Sequence, residues 1–312
     1  MDILFIVLGL VLLVAGGDWL LKAAVGISLK LNISKIIIGL TVVSFATSAP
    51  ELIVSIKAAI AGFPDVALGN VVGSNIANIG LVLGVVLIIG SLTVNSSFFK
   101  TDWPVMLFAS LFLFLVLFYD NTIGRVEGLV FFLCLILFVI YLIKNQAKTE
   151  DSEEIHIEEM QTNPFFIVLF LILGGAALWG GSELLVQGAV NLAKAFGVSD
   201  RIIAVSLVSI GTSIPELVAS IMAAIKKEND ISIGNIIGSN IFNILSVLGI
   251  TAMIQPITVK DQGLVNFDIY WLLGFAFVLL PLVLLPKKGV LGRTAGILLV
   301  GGYATFLYLT FS

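Results

Sequence analysis

The sequence predicts an all-α integral membrane protein, with ten transmembrane helices in two inverted five-helix repeats. Three observations carry that expectation: long apolar runs, a shortage of charge, and an internal repeat at a constant offset. Of the 312 residues, 59% are hydrophobic and only 12% are charged, about half the charged share of an ordinary soluble domain. The apolar runs fall at 2–27, 34–61, 67–92, 103–119, 125–144, 164–194, 201–225, 231–254, 268–285 and 290–311. Most reach or exceed the roughly 20 residues that a spanning helix needs.

Each element can be placed in turn. The opening "MDILFIVLGL" lacks a basic leader and a small-residue cleavage motif, so it is expected to stay as the first span. Lys and Arg set the orientation. With the N-terminus outside, Lys22, Lys30, Lys35, Lys100, Lys144, Lys148, Lys226, Lys227, Lys287, Lys288 and Arg293 fall inside. Lys57, Arg125, Lys194, Arg201 and Lys260 fall outside. That bias predicts extracellular termini and a cytoplasmic connection at 145–163. Its acidic run, Glu150, Asp151, Glu153, Glu154, Glu158 and Glu159, lacks the spacing and glycine of a calcium loop and reads as a solvated linker. His156 in the same segment reads as exposed.

Sliding the chain by 165 residues aligns Thr41–Gly84 with Ser206–Gly249 without a gap, and 24 of the 44 pairs are identical. "TSAPEL" falls on "TSIPEL", "GNVVGSNIANI" falls on "GNIIGSNIFNI", and Asp18 falls on Glu183. The chain therefore divides into 1–144, a linker at 145–163, and 164–312. A shift of five spans is odd, so the two copies enter the membrane from opposite faces. Inverted repeats of this kind are the architecture of secondary transporters, with the site at the midplane.

The polar residues of the repeat form stripes. Ser44, Thr47, Ser48, Glu51 and Ser55 share a helix face, and Ser209, Thr212, Ser213, Glu216 and Ser220 repeat it. Asn70, Ser74 and Asn78 recur every fourth residue, as do Asn235, Ser239 and Asn243. Such stripes have to face protein or water. Pro50 and Pro215 give no N–H to the carbonyl four residues earlier, which frees carbonyls near Ala46–Thr47 and Gly211–Thr212. A carboxylate at membrane depth costs at least ~2.5–3.5 kcal/mol on insertion scales, and neither Glu51 nor Glu216 has a basic residue close by in its span. A cation or proton is the simplest partner. Hydroxyl, amide and carbonyl oxygens around two acids suit calcium or sodium, and the absence of Cys or His beside either motif argues against zinc and copper.

Other residues read more plainly. Gly69, Gly73, Gly234 and Gly238 fit close helix packing, Asn75 and Asn240 lie off the stripe as caps or bridges, and Asp18 and Glu183 suit interhelical hydrogen bonds. Cys134 is the single cysteine and reads as packing. No basic patch interleaved with aromatics points to nucleic acid. No nucleophile–base pair suits an intramembrane hydrolase, so an enzyme is not expected.

At "ATSAPEL" with "GSNIANIG" and "GTSIPEL" with "GSNIFNIL" the sequence resembles the calcium/cation antiporter superfamily, above all prokaryotic sodium/calcium exchangers. The resemblance implies exchange of extracellular sodium for cytosolic calcium across a prokaryotic plasma membrane, with no cofactor. It implies Glu51 and Glu216 as central ligands shared by the two ions. Ser48, Ser74, Ser213 and Ser239, with carbonyls of Ser44, Thr47, Ser209 and Thr212, would form flanking sodium sites, and Asn78 and Asn243 would complete the middle. Some relatives carry aspartate at one of these two asparagine positions, and Asn243 weighs against potassium cotransport. Gly73 and Gly238 stand where the proton-coupled branch carries glutamate in "GNxxE", which disfavours that branch. Proton/calcium exchange is the alternative, and a passive cation channel a further one.

Overall fold

The computed structural model describes residues 2–145, 163–195, 211–285 and 287–311, which are helical apart from four two-residue strands and short connections. Seven of the described helices are long and apolar enough to cross a bilayer, and a bent pair makes an eighth. We number the helices α1 (Asp2–Leu31), α2 (Lys35–Thr47), α3 (Ala49–Ile60), α4 (Pro64–Ile89), α5 (Phe98–Asp120) and α6 (Arg125–Lys144). They continue as α7 (Pro164–Ala195), α8 (Ile214–Ile225), α9 (Asn229–Ile254), α10 (Leu264–Leu284) and α11 (Arg293–Phe311). The stretch 201–225 expected as one span is described only from residue 211, and most of the 145–163 linker lies outside the described residues, His156 included.

Local sequence explains the boundaries. α1 is an unbroken apolar run with Asp2 in its first turn and Lys30 in its last, both favourable to the helix dipole. It stops at Asn32, which takes the left-handed conformation at φ 52°, tolerated by asparagine better than by most residues. α2 and α3 are one run bent by 45°, and the break falls at Ser48, two residues before Pro50. Gly62 turns the chain at φ 83°, and α4 starts on Pro64, whose missing N–H costs nothing there.

Two helix ends differ from the sequence expectation. The apolar run 67–92 leaves the helix at Gly90, which is extended, and Leu92–Thr93 forms strand β1. The run 290–311 begins as strand β4 (Val290–Leu291) before the helix starts at Arg293. β1 pairs antiparallel with β4, and β2 (Thr122–Ile123) pairs with β3 (Ile257–Thr258). Hydropathy alone registered these residues as apolar and could not see that their backbones bond across the chain.

Helices α1 and α7 form an antiparallel arm. A Cβ at Gly9 would stand 2.8 Å from the Gly181 carbonyl oxygen, one at Gly16 2.9 Å from that of Gly174, and one at Gly188 2.7 Å from that of Asp2. Contact positions thus descend along α7 as they ascend along α1. Only glycine allows two backbones this close. The rest of the molecule is a bundle around α4 and α9. In α9, 89% of the apolar window is buried, against 28% in α1, so α9 is the axis and α1 lies at the margin. The outward faces carry large exposed apolar side chains such as Val11, Phe118, Leu137 and Leu298. Apolar surface on that scale belongs to a protein bathed in lipid.

Candidate functional site

The two helix breaks have the same backbone. Ser48 sits at φ −86°, ψ 3° and Ser213 at φ −88°, ψ 2°, each two residues before its proline. Each proline withholds an N–H from the carbonyl four residues earlier. Both glutamates are fully buried, and their carboxylates lie within electrostatic range of each other.

Hydroxyls from the opposite copy reach each acid. Ser48 Oγ donates to Glu216 Oε1 at 3.1 Å. Ser74 Oγ lies 3.5 Å from Glu51 Oε1 and 3.2 Å from Thr212 Oγ1, and the Thr212 hydroxyl is also turned to Glu51. Thr47 and Ser239 hydroxyls serve Glu216 and stand 3.4 Å from one another. Seven of the twelve residues singled out in the sequence as ligands are therefore linked around the acids, namely Glu51, Glu216, Thr47, Ser48, Ser74, Thr212 and Ser239. Of three more, Asn78 and Ser213 have no side-chain partner among the described residues, and Asn243 is held by Asn75. The eleventh, Ser44, is fully buried, and its carbonyl, the atom expected as ligand, accepts from the Ser48 N–H at 2.9 Å and from Thr47 Oγ1 at 3.3 Å. Its hydroxyl is 2.8 Å from the Gly39 carbonyl oxygen and 3.0 Å from that of Asn235, so it is engaged in the α2–α9 crossing. The twelfth, Ser209, lies outside the described residues.

Among the described residues, Glu51 Oε2, Glu216 Oε2, Asn243 Oδ1, Ser213 Oγ and both amide atoms of Asn78 are buried without a hydrogen-bond partner. An unsatisfied buried polar group costs about 1–3 kcal/mol. A hard cation would relieve such groups, since every one but the Asn78 nitrogen is an oxygen. No group of three His, Cys, Asp or Glu side chains suited to a metal occurs among the described residues; the acids here are two, and hydroxyls and amides make up the rest.

The remaining stripe residues support the site from behind. Asn70 Nδ2 bonds Ser55 Oγ at 3.0 Å and the Glu51 carbonyl at 3.3 Å, and Asn235 Nδ2 bonds Ser220 Oγ at 3.0 Å and the Glu216 carbonyl at 3.4 Å. Gly234 packs where a Cβ would meet the Ile36 carbonyl oxygen at 2.7 Å. Asp18 is an interhelical link, paired with Lys22 at 2.9 Å and with Lys226 beyond α8; Glu183 is exposed. Two residues were missed in the sequence. Asp65 accepts from the N–H groups of Lys260 and Asp261, and its repeat mate Asp230 accepts from Asn95. Their identity across the repeat was the available signal.

This fold and this site define a membrane cation exchanger. The sodium/calcium exchanger protein family matches residues 1–144 and 166–312, and the chain belongs to it, a family of transporters and not of enzymes. It is 39% identical to a putative antiporter, CaxA, of Alkalimonas amylolytica, covering 99% of this chain and 98% of that one. It is 31% identical to the sodium/calcium exchanger MaX1 of Methanosarcina acetivorans over 99% of this chain and 98% of the relative. Among solved structures, the sodium–calcium exchanger NCX_Mj, soaked with zero Na+ and Ca2+, superposes with a TM-score of 0.84 at 30% identity, covering 97% of both chains.

Proposed function

We propose that this protein is a secondary active antiporter that exchanges Na+ for Ca2+ by alternating access, with Glu51 and Glu216 binding both ions in turn. The observation that carries the reading is the pair of fully buried acids, each with a carboxylate oxygen that has no partner among the described residues. Two carboxylates nearly neutralise one Ca2+, or hold Na+ with hydroxyl help, but not both loads at once. Competition for the same pair then enforces exchange. Ser48, Ser74, Ser213 and Ser239, with carbonyls of Ser44, Thr47, Ser209 and Thr212, complete the flanking sodium positions, and Asn78 and Asn243 the centre. The relatives named as exchangers favour sodium as the coupling ion over protons.

Ten spans in two inverted repeats fit the contacts between connections. Paired strands lie on one side of a membrane, so an even number of crossings separates them. Between β2 and β3 run α6, α7, the 201–225 stretch and α9; four crossings satisfy the rule only if 201–225 crosses once. Between β1 and β4 the count is then six, also even. The antiparallel α1–α7 arm, which pairs the first helix of each half, supports the inversion. With the Lys and Arg bias, this arrangement puts both termini on the outer face of a prokaryotic plasma membrane, with the apolar faces against lipid. Sliding or rocking of the arm opens the site to each side alternately.

Reconstituted vesicles test the reading. With pH clamped and membrane potential shunted, an outward sodium gradient should drive calcium accumulation. Calcium movement driven only by a pH gradient would replace it with proton exchange, and calcium flux with no opposing cation would mean a channel.

A further inference from the structure

Asn75 and Asn240 stand at the same place in the two motif copies, and both are buried. Asn240 Nδ2 is used within its own helix, on the Ile236 carbonyl at 2.7 Å. Asn75 reaches across instead. Its Nδ2 donates to the Asn240 backbone carbonyl at 3.1 Å, and its Oδ1 accepts from Asn243 Nδ2 at 3.0 Å. A backbone carbonyl only accepts, so it dictates which end of the Asn75 amide faces it. The other end, Oδ1, is thereby turned to Asn243, which has to present its N–H. Asn243 Oδ1 is left on the far side, buried and without a partner among the described residues, whereas Asn78, the counterpart of Asn243, has neither amide atom engaged.

We propose that Asn75 is a positioning residue that locks the Asn243 amide with its oxygen offered to the transported cation. The proposal rests on the reading of this site as the sodium and calcium site. A hard cation takes oxygen and is repelled by an amide N–H, so an unlocked amide at 243 would spend part of its time presenting the wrong end. Asn75 itself touches no cation in this scheme; it acts through Asn243.

The test uses the whole protein in vesicles, reading sodium-driven uptake against calcium concentration. Asn75→Ala should raise the half-saturating calcium concentration about five- to tenfold, the value of one buried hydrogen bond, with the maximal rate within about twofold. In an Asn243→Asp background both ligand atoms are oxygen, and Asn75 Oδ1 meets a carboxylate that has no N–H to give. Adding Asn75→Ala there should leave half-saturation unchanged or lower it. A role confined to helix packing would cost the same in both backgrounds, and that result, or an unaltered Asn75→Ala, overturns the proposal. If Asn75→Ala does not melt cooperatively, Asn75→Ser, whose hydroxyl serves the Asn240 carbonyl but reaches Asn243 less well, carries the same comparison. A wild type that takes up no calcium against sodium overturns the exchange reading itself, whereas an active wild type with an indifferent Asn75 removes only the positioning role.

Discussion

Ser48 and Ser213 occupy matching turns with nearly the same φ and ψ, yet Ser48 donates to Glu216 while Ser213 Oγ is without a partner among the described residues. Asn243 is held by Asn75, while both amide atoms of Asn78 are unengaged by the described residues. The two motif copies thus share their backbone and differ in what reaches them from the opposite copy. Local sequence sets the first property; the mutual placement of the halves sets the second. Among the described residues the two copies hold unequal contacts, an asymmetry that the proposed alternating access would use.

The comparison can be broken most severely at the acids, where the two copies should behave alike. Glu51→Gln and Glu216→Gln should each cut sodium-driven calcium uptake by roughly 100-fold or more, a barrier change of about 2.7 kcal/mol. Either variant retaining substantial uptake would remove that acid from the site. Packing comes next. Gly234→Val drives a side chain into the Ile36 carbonyl and should cost about 1–3 kcal/mol, read as a lowered melting temperature in detergent; an unshifted melt would mean the α2–α9 crossing is looser than described.

The serines sharpen the asymmetry. Ser48→Ala removes a bond to a charged group, worth ~1.5–3 kcal/mol, and should shift calcium half-saturation more than Ser213→Ala does when calcium is titrated from one side only. Equal shifts from both sides would mean that the difference between the copies has no functional weight. Asp18→Asn breaks a partly exposed ion pair, and such pairs contribute about 0–1 kcal/mol, so only a small change in melting is expected. Cys134→Ala should leave uptake unchanged within about 0.5 kcal/mol, and a large loss there would expose an unrecognised role for the thiol.

Much of the site could be read in the sequence because its physics is local. A proline beside a carboxylate in an apolar run states both a break and a candidate ligand, and repetition at a fixed offset points to a second such element. What could not be read depends on contacts between copies. The segments Asn78–Leu83 and Asn243–Leu248 are wound as π-helix, a hydrogen-bond register that no side-chain periodicity announces. Strand β1 was hidden in an apolar run. Asn75 was visible as a residue off the stripe, but its choice of the Asn240 carbonyl over one in its own helix is made only when α4 and α9 meet.

The two small sheets have a mechanical consequence. Each joins a connection of one half to a connection of the other, and neither includes α1 or α7. Were the arm to move as proposed, the inner bundle, tied across its halves by these strands, would be its stator, and the glycine-seamed pair would travel as a single slider.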